Sequence, residues 1–210
     1  MANRRDGEET RERILSVACE VFSEHGYNGS TNAEICRKSG VNGAAVNYHF
    51  RNKEALYVEA FKTALEKSLK SHPLVCGNAT SPELRLKSMI RATISRISDP
   101  DNRSFGMLRK EMNEPTGLLE KTMCQFIEDE QALMRKLVGE VMGQSSLSPR
   151  KIDLCSMSVL AQCIHPAIHE RRRIDKNEPV KEPFNLDEVT EHVFSFSMAA
   201  ISTISKESCK

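Results

Sequence analysis

Tryptophan is absent from this chain, and aromatic residues make up only 5% of its 210 positions. Seven cysteines (Cys19, Cys36, Cys76, Cys124, Cys155, Cys163 and Cys209) are scattered without a Cys-x-x-Cys pair. An odd, unpaired set argues against both a disulfide framework and a zinc ribbon, and most of these thiols are expected to be small buried hydrophobes. No apolar run approaches the ~20 residues that a membrane helix needs. The opening MANRRDGEETRERI is too polar for a signal peptide, so a cytoplasmic protein with no membrane partner is expected. Strand-like alternation is missing as well. Excess charge of one sign is also lacking: the formal net charge is +1, so the total does not point to nucleic acid.

What is present is helical periodicity on a scale that can bury a core. Hydrophobic residues make up 39% and charged residues 28% of the chain, an ordinary globular balance. A first helix from about Asp6 to His25-Gly26 buries Ile14, Leu15, Ala18, Val21 and Phe22. Thr31-Asn32-Ala33-Glu34 fits a capping box, in which the Thr31 hydroxyl accepts from the Glu34 amide and Glu34 reaches back. That predicts a short helix from Asn32 to about Ser39, ended by Gly40, which can take the left-handed conformation. Asn42 then caps a third helix from Gly43 to about Phe50. Two short helices joined by a glycine turn form a helix-turn-helix, with Ile35, Val41 and Val46 in the wedge and Phe50 as the anchor.

Charge is arranged to match this unit. From Ile35 to Lys53 no acid occurs, whereas Arg37, Lys38, Arg51 and Lys53 are basic. The outward face would carry Asn42, Gly43, Ala44, Asn47, Tyr48 and His49, whose small members allow close approach to a groove. Asn47 can bond an adenine edge in bidentate fashion and Ala44 can touch a thymine methyl. Tyr48, His49 and Lys53 suit phosphates or base edges. Thr31 and the helix start at Asn32 offer amides and a positive dipole end to a phosphate.

The opening ILSVACEVFSEHGYNGST, the glycine turn, the Tyr-His-Phe triplet and the following Lys-Glu-Ala-Leu resemble the DNA-binding region of the TetR family of bacterial transcriptional regulators. The likeness covers about residues 9 to 60. It implies that the helix from Gly43 enters a major groove, that Tyr48 and Lys53 hold phosphates, and that a homodimer reads a palindromic operator in double-stranded DNA. Many members have an aromatic residue where this chain has Asn47. Farther on, SFGMLRKEMNEPTGLLEKTMCQFI and LAQCIHPAIHERR resemble stretches of CecR-like regulators, with Ala161 in place of a glycine.

The expected architecture is all-α, with a three-helix DNA-binding domain over residues 1–55 joined to a larger helical ligand-binding and dimerisation domain over 56–210. A long linking helix starts at Lys53 and stops at His72-Pro73. A loop through Gly77 and Asn78 leads to helices at about 82–97, 101–113, 116–142, 149–171 and 187–206, about nine helices in all. The eighth is expected to bury Ile152, Leu154, Cys155, Val159, Leu160 and Ile164 and to kink at Pro166.

Phe105, Leu108, Met112, Leu119, Met123 and Phe126, with Cys163 and the polar Arg109, are candidates for a soft pocket that takes a small apolar or amphipathic ligand. Position by position they serve equally well as core and solvated face. The family resemblance implies that the last two helices pair with their mates in a dimeric bundle, with Leu160, Ile164, His165, Ile168, Phe194, Met198 and Ile201 as interface candidates. His165 and His169 lie one turn apart near Cys163, a spacing compatible with a metal. No third ligand shares their face, so an interface role is preferred and neither a metal nor a cofactor is expected. The expected activity is that of a repressor released by a small-molecule inducer. The alternatives are a cysteine-redox or metal input to the same regulator, and a helical Cys/His enzyme, for which no nucleophile elbow, phosphate loop or catalytic carboxylate pair is present.

Overall fold

A computed structural model describes residues 2–74, 81–143, 148–179 and 184–207. Cys76, Gly77, Asn78 and Cys209, named above, lie outside the described residues. Those residues form helices without strands: α1 Ala2–His25, α2 Asn32–Ser39, α3 Gly43–Phe50, α4 Lys53–Ser71, α5 Pro82–Ser98, α6 Arg103–Asn113, α7 Glu120–Met142, α8 Pro149–Asp175 and α9 Leu186–Glu207. They group into two compact units. The first holds Met1–Ser68 and Asp101–Cys124, and the second Leu69–Pro100 and Gln125–Lys210. The first unit therefore takes in α6, which lies outside the 1–55 division expected from the sequence.

In the first unit α1 presents Ile14, Leu15, Ala18, Val21 and Phe22 to a core shared with Ile35, Val46, Phe50, Leu56, Tyr57 and Phe61. This is the apolar stripe of period 3.6 that burial of one helix face demands. Phe22 meets the Tyr57 ring edge-on at 4.9 Å between centroids. The Tyr57 hydroxyl donates to Glu111 of α6 at 3.1 Å, and burial with the adjacent Glu111 charge pushes the phenol well up from its ordinary range. Gly106 of α6 lies against Ser23 of α1, where an added Cβ would sit 3.0 Å from the serine Cβ, so glycine permits close packing of the two helices.

Several helix ends differ from the sequence expectation. Instead of starting near Asp6, α1 already runs from Ala2. The helix expected from 116 begins at Glu120, because the Thr116 and Gly117 amides donate to the Glu111 carboxylate and Gly117 takes φ +75. That carboxylate holds the chain in a turn where periodicity suggested helix. At the far end, α8 runs through Pro166 and on to Asp175, four residues beyond the expected stop at 171. Arg173 with Glu170 and Arg171 with Asp175 supply i+3 and i+4 ion pairs across this last stretch.

The second unit packs α5, α7, α8 and α9 around Leu86, Met89, Ile90, Ile94, Met134, Leu137, Val138, Val159, Cys163 and Val193. Arg96 of α5 is buried within it, ion-paired with Glu130 of α7 and 5.0 Å from the Phe126 ring centroid. Expectation fails for α8 at two core positions: Leu154 is 55% exposed and Ile164 is 38% exposed. Together with Met157, Ala161 and Ile168 they repeat at alternating steps of three and four on the outer side of the helix. Cys155, Val159, Cys163 and Ala167 form its inward side.

Candidate nucleic-acid interface

The α2–α3 unit is built by three local devices. The Thr31 hydroxyl accepts from the Glu34 amide at 3.1 Å and starts α2. Gly40 closes it at φ +67, its amide donating to the Cys36 carbonyl. Asn42 then caps α3 by accepting from the Ala45 amide at 2.9 Å. Glu34, expected to reach back to Thr31, instead places its carboxylate 3.8 Å from Lys38 and 3.7 Å from His25. Ile35, Val46 and Phe50 fasten the unit from beneath, each nearly inaccessible to solvent.

What remains outside is a polar face with low relief. Asn42, Gly43, Ala44, Asn47 and Tyr48 are exposed, Tyr48 to 84%, while His49 is half-buried with its ring 5.1 Å from that of Tyr48. Gly43 has an ordinary φ, and a Cβ added there would meet nothing within 4 Å. Neither the backbone nor packing within the chain therefore asks for glycine at this position. Thr31 and Arg37 are exposed and Asn32 half-buried on α2.

Lys53 behaves differently from a free surface cation. Its ammonium donates to the carbonyls of Tyr27 and Ser30, both at 2.6 Å, and lies 4.3 Å from the Tyr27 ring centroid. Burial draws its pKa below the ordinary lysine range. Two of its three donors thus hold the loop between α1 and α2, leaving one for any further acceptor.

The other candidate sites are distributed less simply. Of the pocket residues, Phe105, Leu108, Arg109, Met112, Leu119 and Met123 belong to the first unit, and Phe126 and Cys163 to the second. Leu119 is fully buried, Leu108 and Met123 pack against the core of the first unit, and Met112 is 69% exposed. On the interface helices, His165 and Ile168 are exposed and Leu160, Phe194 and Met198 half-buried. Ile201 is buried within its own unit, and Lys87 lies over the Phe194 ring at 5.4 Å. On α8 and α9 the exposed large apolar positions not expected at an interface are Leu154, Met157 and Phe196. The 3-4 spacing of α8 groups the first two with Ile164 and Ile168 but does not say which side of the helix is outward.

Cys163 is fully buried, with burial and the nearby Glu130 charge pushing its thiol up to about 12, whereas His165 and His169 are exposed. No group of three or more metal-ligating side chains occurs among the described residues. None of the described helices is long and apolar enough to cross a membrane.

Comparison with known proteins agrees with this geometry in both halves of the chain. Residues 14–60 match the family model of bacterial regulatory proteins of the tetR family, and residues 82–201 match the C-terminal domain of the HTH-type transcriptional dual regulator CecR. The HTH-type transcriptional regulator SrpR of Pseudomonas putida is 27% identical over 174 residues, 80% of this chain and 78% of that protein. IcaR of Staphylococcus aureus, named a negative transcriptional regulator of the biofilm operon icaADBC, is 21% identical over 71% of this chain and 78% of its own length. Among solved structures, a TetR-like regulator from Rhodococcus sp. RHA1 superposes with a TM-score of 0.69 at 13% identity, covering 92% of this chain and 96% of that one. A TetR regulator from Chloroflexus aurantiacus gives the same score at 19% identity, covering 94% and 96%. With both of its parts matched in this way, the chain belongs to the TetR family of transcriptional regulators and carries a C-terminal domain of the CecR type.

Proposed function

We propose that this regulator is a repressor that binds a palindromic operator as a homodimer and is released by a small apolar or amphipathic ligand held in its larger helical domain. The observation that carries the reading is the face of α3, where Gly43, Ala44, Asn47 and Tyr48 stand exposed on a capped, internally anchored helix. Asn47 would read an adenine edge, Ala44 a thymine methyl, and Tyr48 and His49 would engage phosphates or base edges. Thr31, Asn32, Arg37, Asn42 and the remaining donor of Lys53 would hold the flanking backbone.

Dimer formation is supported by the apolar strip of Leu154, Met157, Ile164 and Ile168 on α8, flanked on α9 by exposed Phe196 and the small Ala199 and Ala200. A contiguous exposed apolar row of this length marks a surface for association. Two half-sites on one face of DNA require reading helices about 34 Å apart, so a ligand that favours a different separation would lower affinity. Repression as the direction of control agrees with the name given to IcaR.

The test is selection of random duplexes by the purified protein, followed by fluorescence anisotropy of the recovered site. The expected result is a palindrome whose binding weakens by about 1–3 kcal/mol in Asn47→Ala, with specificity relaxed at one position in each half-site. Enrichment of no sequence by a protein that mass spectrometry shows free of small molecules would overturn the reading.

A further inference from the structure

The acid-free stretch from Ile35 to Lys53 contains four cations, and the fold disposes of them unequally. Lys38 bonds Glu20 at 3.2 Å, with Glu24 and Glu34 within 3.9 Å. Lys53 is committed to the carbonyls of Tyr27 and Ser30. Arg37 and Arg51 remain, both exposed and with no side-chain partner among the described residues.

Arg51 is also held in a backbone conformation that an arginine rarely takes. Its φ is 66 and its ψ −55, and the Asn52 amide donates to the Phe50 carbonyl at 2.7 Å. That is a γ-turn with positive φ at its centre, a strained variety. The turn is fixed from both sides: Phe50 is anchored in the core, and the Asn52 side chain caps α4 by accepting from the Ala55 amide at 2.8 Å. Glycine would take this conformation with less strain. The turn therefore gains nothing from a β-carbon, and an arginine there provides something the turn itself does not require. Backbone strain kept at a well-determined corner is a pointer to function rather than to folding.

We infer that Arg51 is a phosphate anchor for α3: its guanidinium grips the DNA backbone at the exit of the reading helix and sets how that helix sits in the groove, without reading bases. The inference rests on the DNA-binding reading above and extends it to a residue outside the expected contact set. A guanidinium suits this task because its planar fork of donors matches two phosphate oxygens at once. The competing role, favourable interaction with the C-terminal end of the α3 dipole, would act on folding stability and not on DNA.

Three variants separate these possibilities. Arg51→Gly removes the charge and the strain, Arg51→Gln removes the charge alone, and Arg51→Lys keeps a charge without the fork. Binding would be measured by anisotropy across salt concentrations, on the selected operator and on a duplex of unrelated sequence. Each phosphate that the protein no longer neutralises should lower the steepness of log K against log salt by about 0.9. Arg51→Gly and Arg51→Gln should show that decrease equally on both duplexes. Arg51→Lys should keep most of the slope, and Arg51→Gly should melt no lower than the parent protein. An unchanged slope in both uncharged variants would overturn the inference, as would a decrease confined to the operator duplex, which would mean base recognition. Failure of the parent protein to bind either duplex with salt dependence would instead bring down the DNA-binding reading, and this inference with it.

Discussion

Arg96 is buried in the second unit with Glu130 as its counter-ion, Thr93 donating to the same carboxylate at 3.3 Å. Removing one member of such a pair leaves an uncompensated charge in a poorly solvated place. Glu130→Ala should therefore lower unfolding free energy by about 3–5 kcal/mol in urea titrations, and Glu130→Gln by less. Two buried thiols bear on alkaline stability: burial raises Cys19 from 9.0 to about 11 and Cys163 from 9.0 to about 12. In each the folded chain holds the proton more tightly than the unfolded one. The stabilisation is thus complete below pH 9 and is lost as pH rises through the folded values, at up to about 1.4 kcal/mol per thiol for each pH unit. Unfolding measured from pH 7 to 11 should show that decline, with a flatter profile in a Cys19→Ala, Cys163→Ala double variant. Roles of this kind were not legible in the sequence. Glu130 and Cys163 are 33 positions apart, and Lys53 has no sequence mark distinguishing a lysine that holds a loop from one that awaits a phosphate.

Local chemistry was legible in the helix-turn-helix. Thr31, Gly40 and Asn42 gave α2 and α3 their correct limits because caps and left-handed turns act over three or four positions. The starts of α6 and α7 and the end of α8 escaped although their determinants are also close in sequence: Asn102 caps α6 by accepting from the Phe105 amide, Glu111 holds the turn before α7, and the Glu170–Arg173 and Arg171–Asp175 pairs carry α8 onward, none of which apolar periodicity registers. The two glycines of the α2–α3 unit make a matched test. Gly40→Ala imposes φ +67 on an alanine and should cost about 1 kcal/mol of stability by chemical denaturation. Gly43→Ala replaces a helical glycine whose Cβ position is open space and should raise stability by up to about 1 kcal/mol. If α3 lies in a groove, the same substitution should weaken operator binding, so that affinity and melting temperature move in opposite directions.

At the scale of the whole molecule, the outward strip of α8 predicts that self-association and folding can be separated. Met157→Glu places a charge at a position 63% exposed in the single chain, so the helix content by circular dichroism should be unchanged. Sedimentation should show a shift from dimer to monomer, and binding to a palindrome should fall well below that of the parent while recognition of a half-site persists. A dimer of undiminished strength would place the interface elsewhere. Periodicity could identify the apolar residues of α8 but could not say which of its two stripes faces the unit's own core, since one repeats at four and the other at three and four, both of them helical spacings.

The first unit closes only when Asp101–Cys124 returns to Met1–Ser68, bringing the buried Met107 and Leu119 to the core of α1 and α4. A chimera that grafts the opening 68 residues onto another regulator's body would leave two holes where those side chains belong. Moving the whole unit between relatives by recombination therefore needs three junctions in the gene, after Ser68, Pro100 and Cys124, whereas changes confined to the surface of α3 need none. A substitution on the exposed face of α3 leaves the shared core intact, and a single-junction exchange does not.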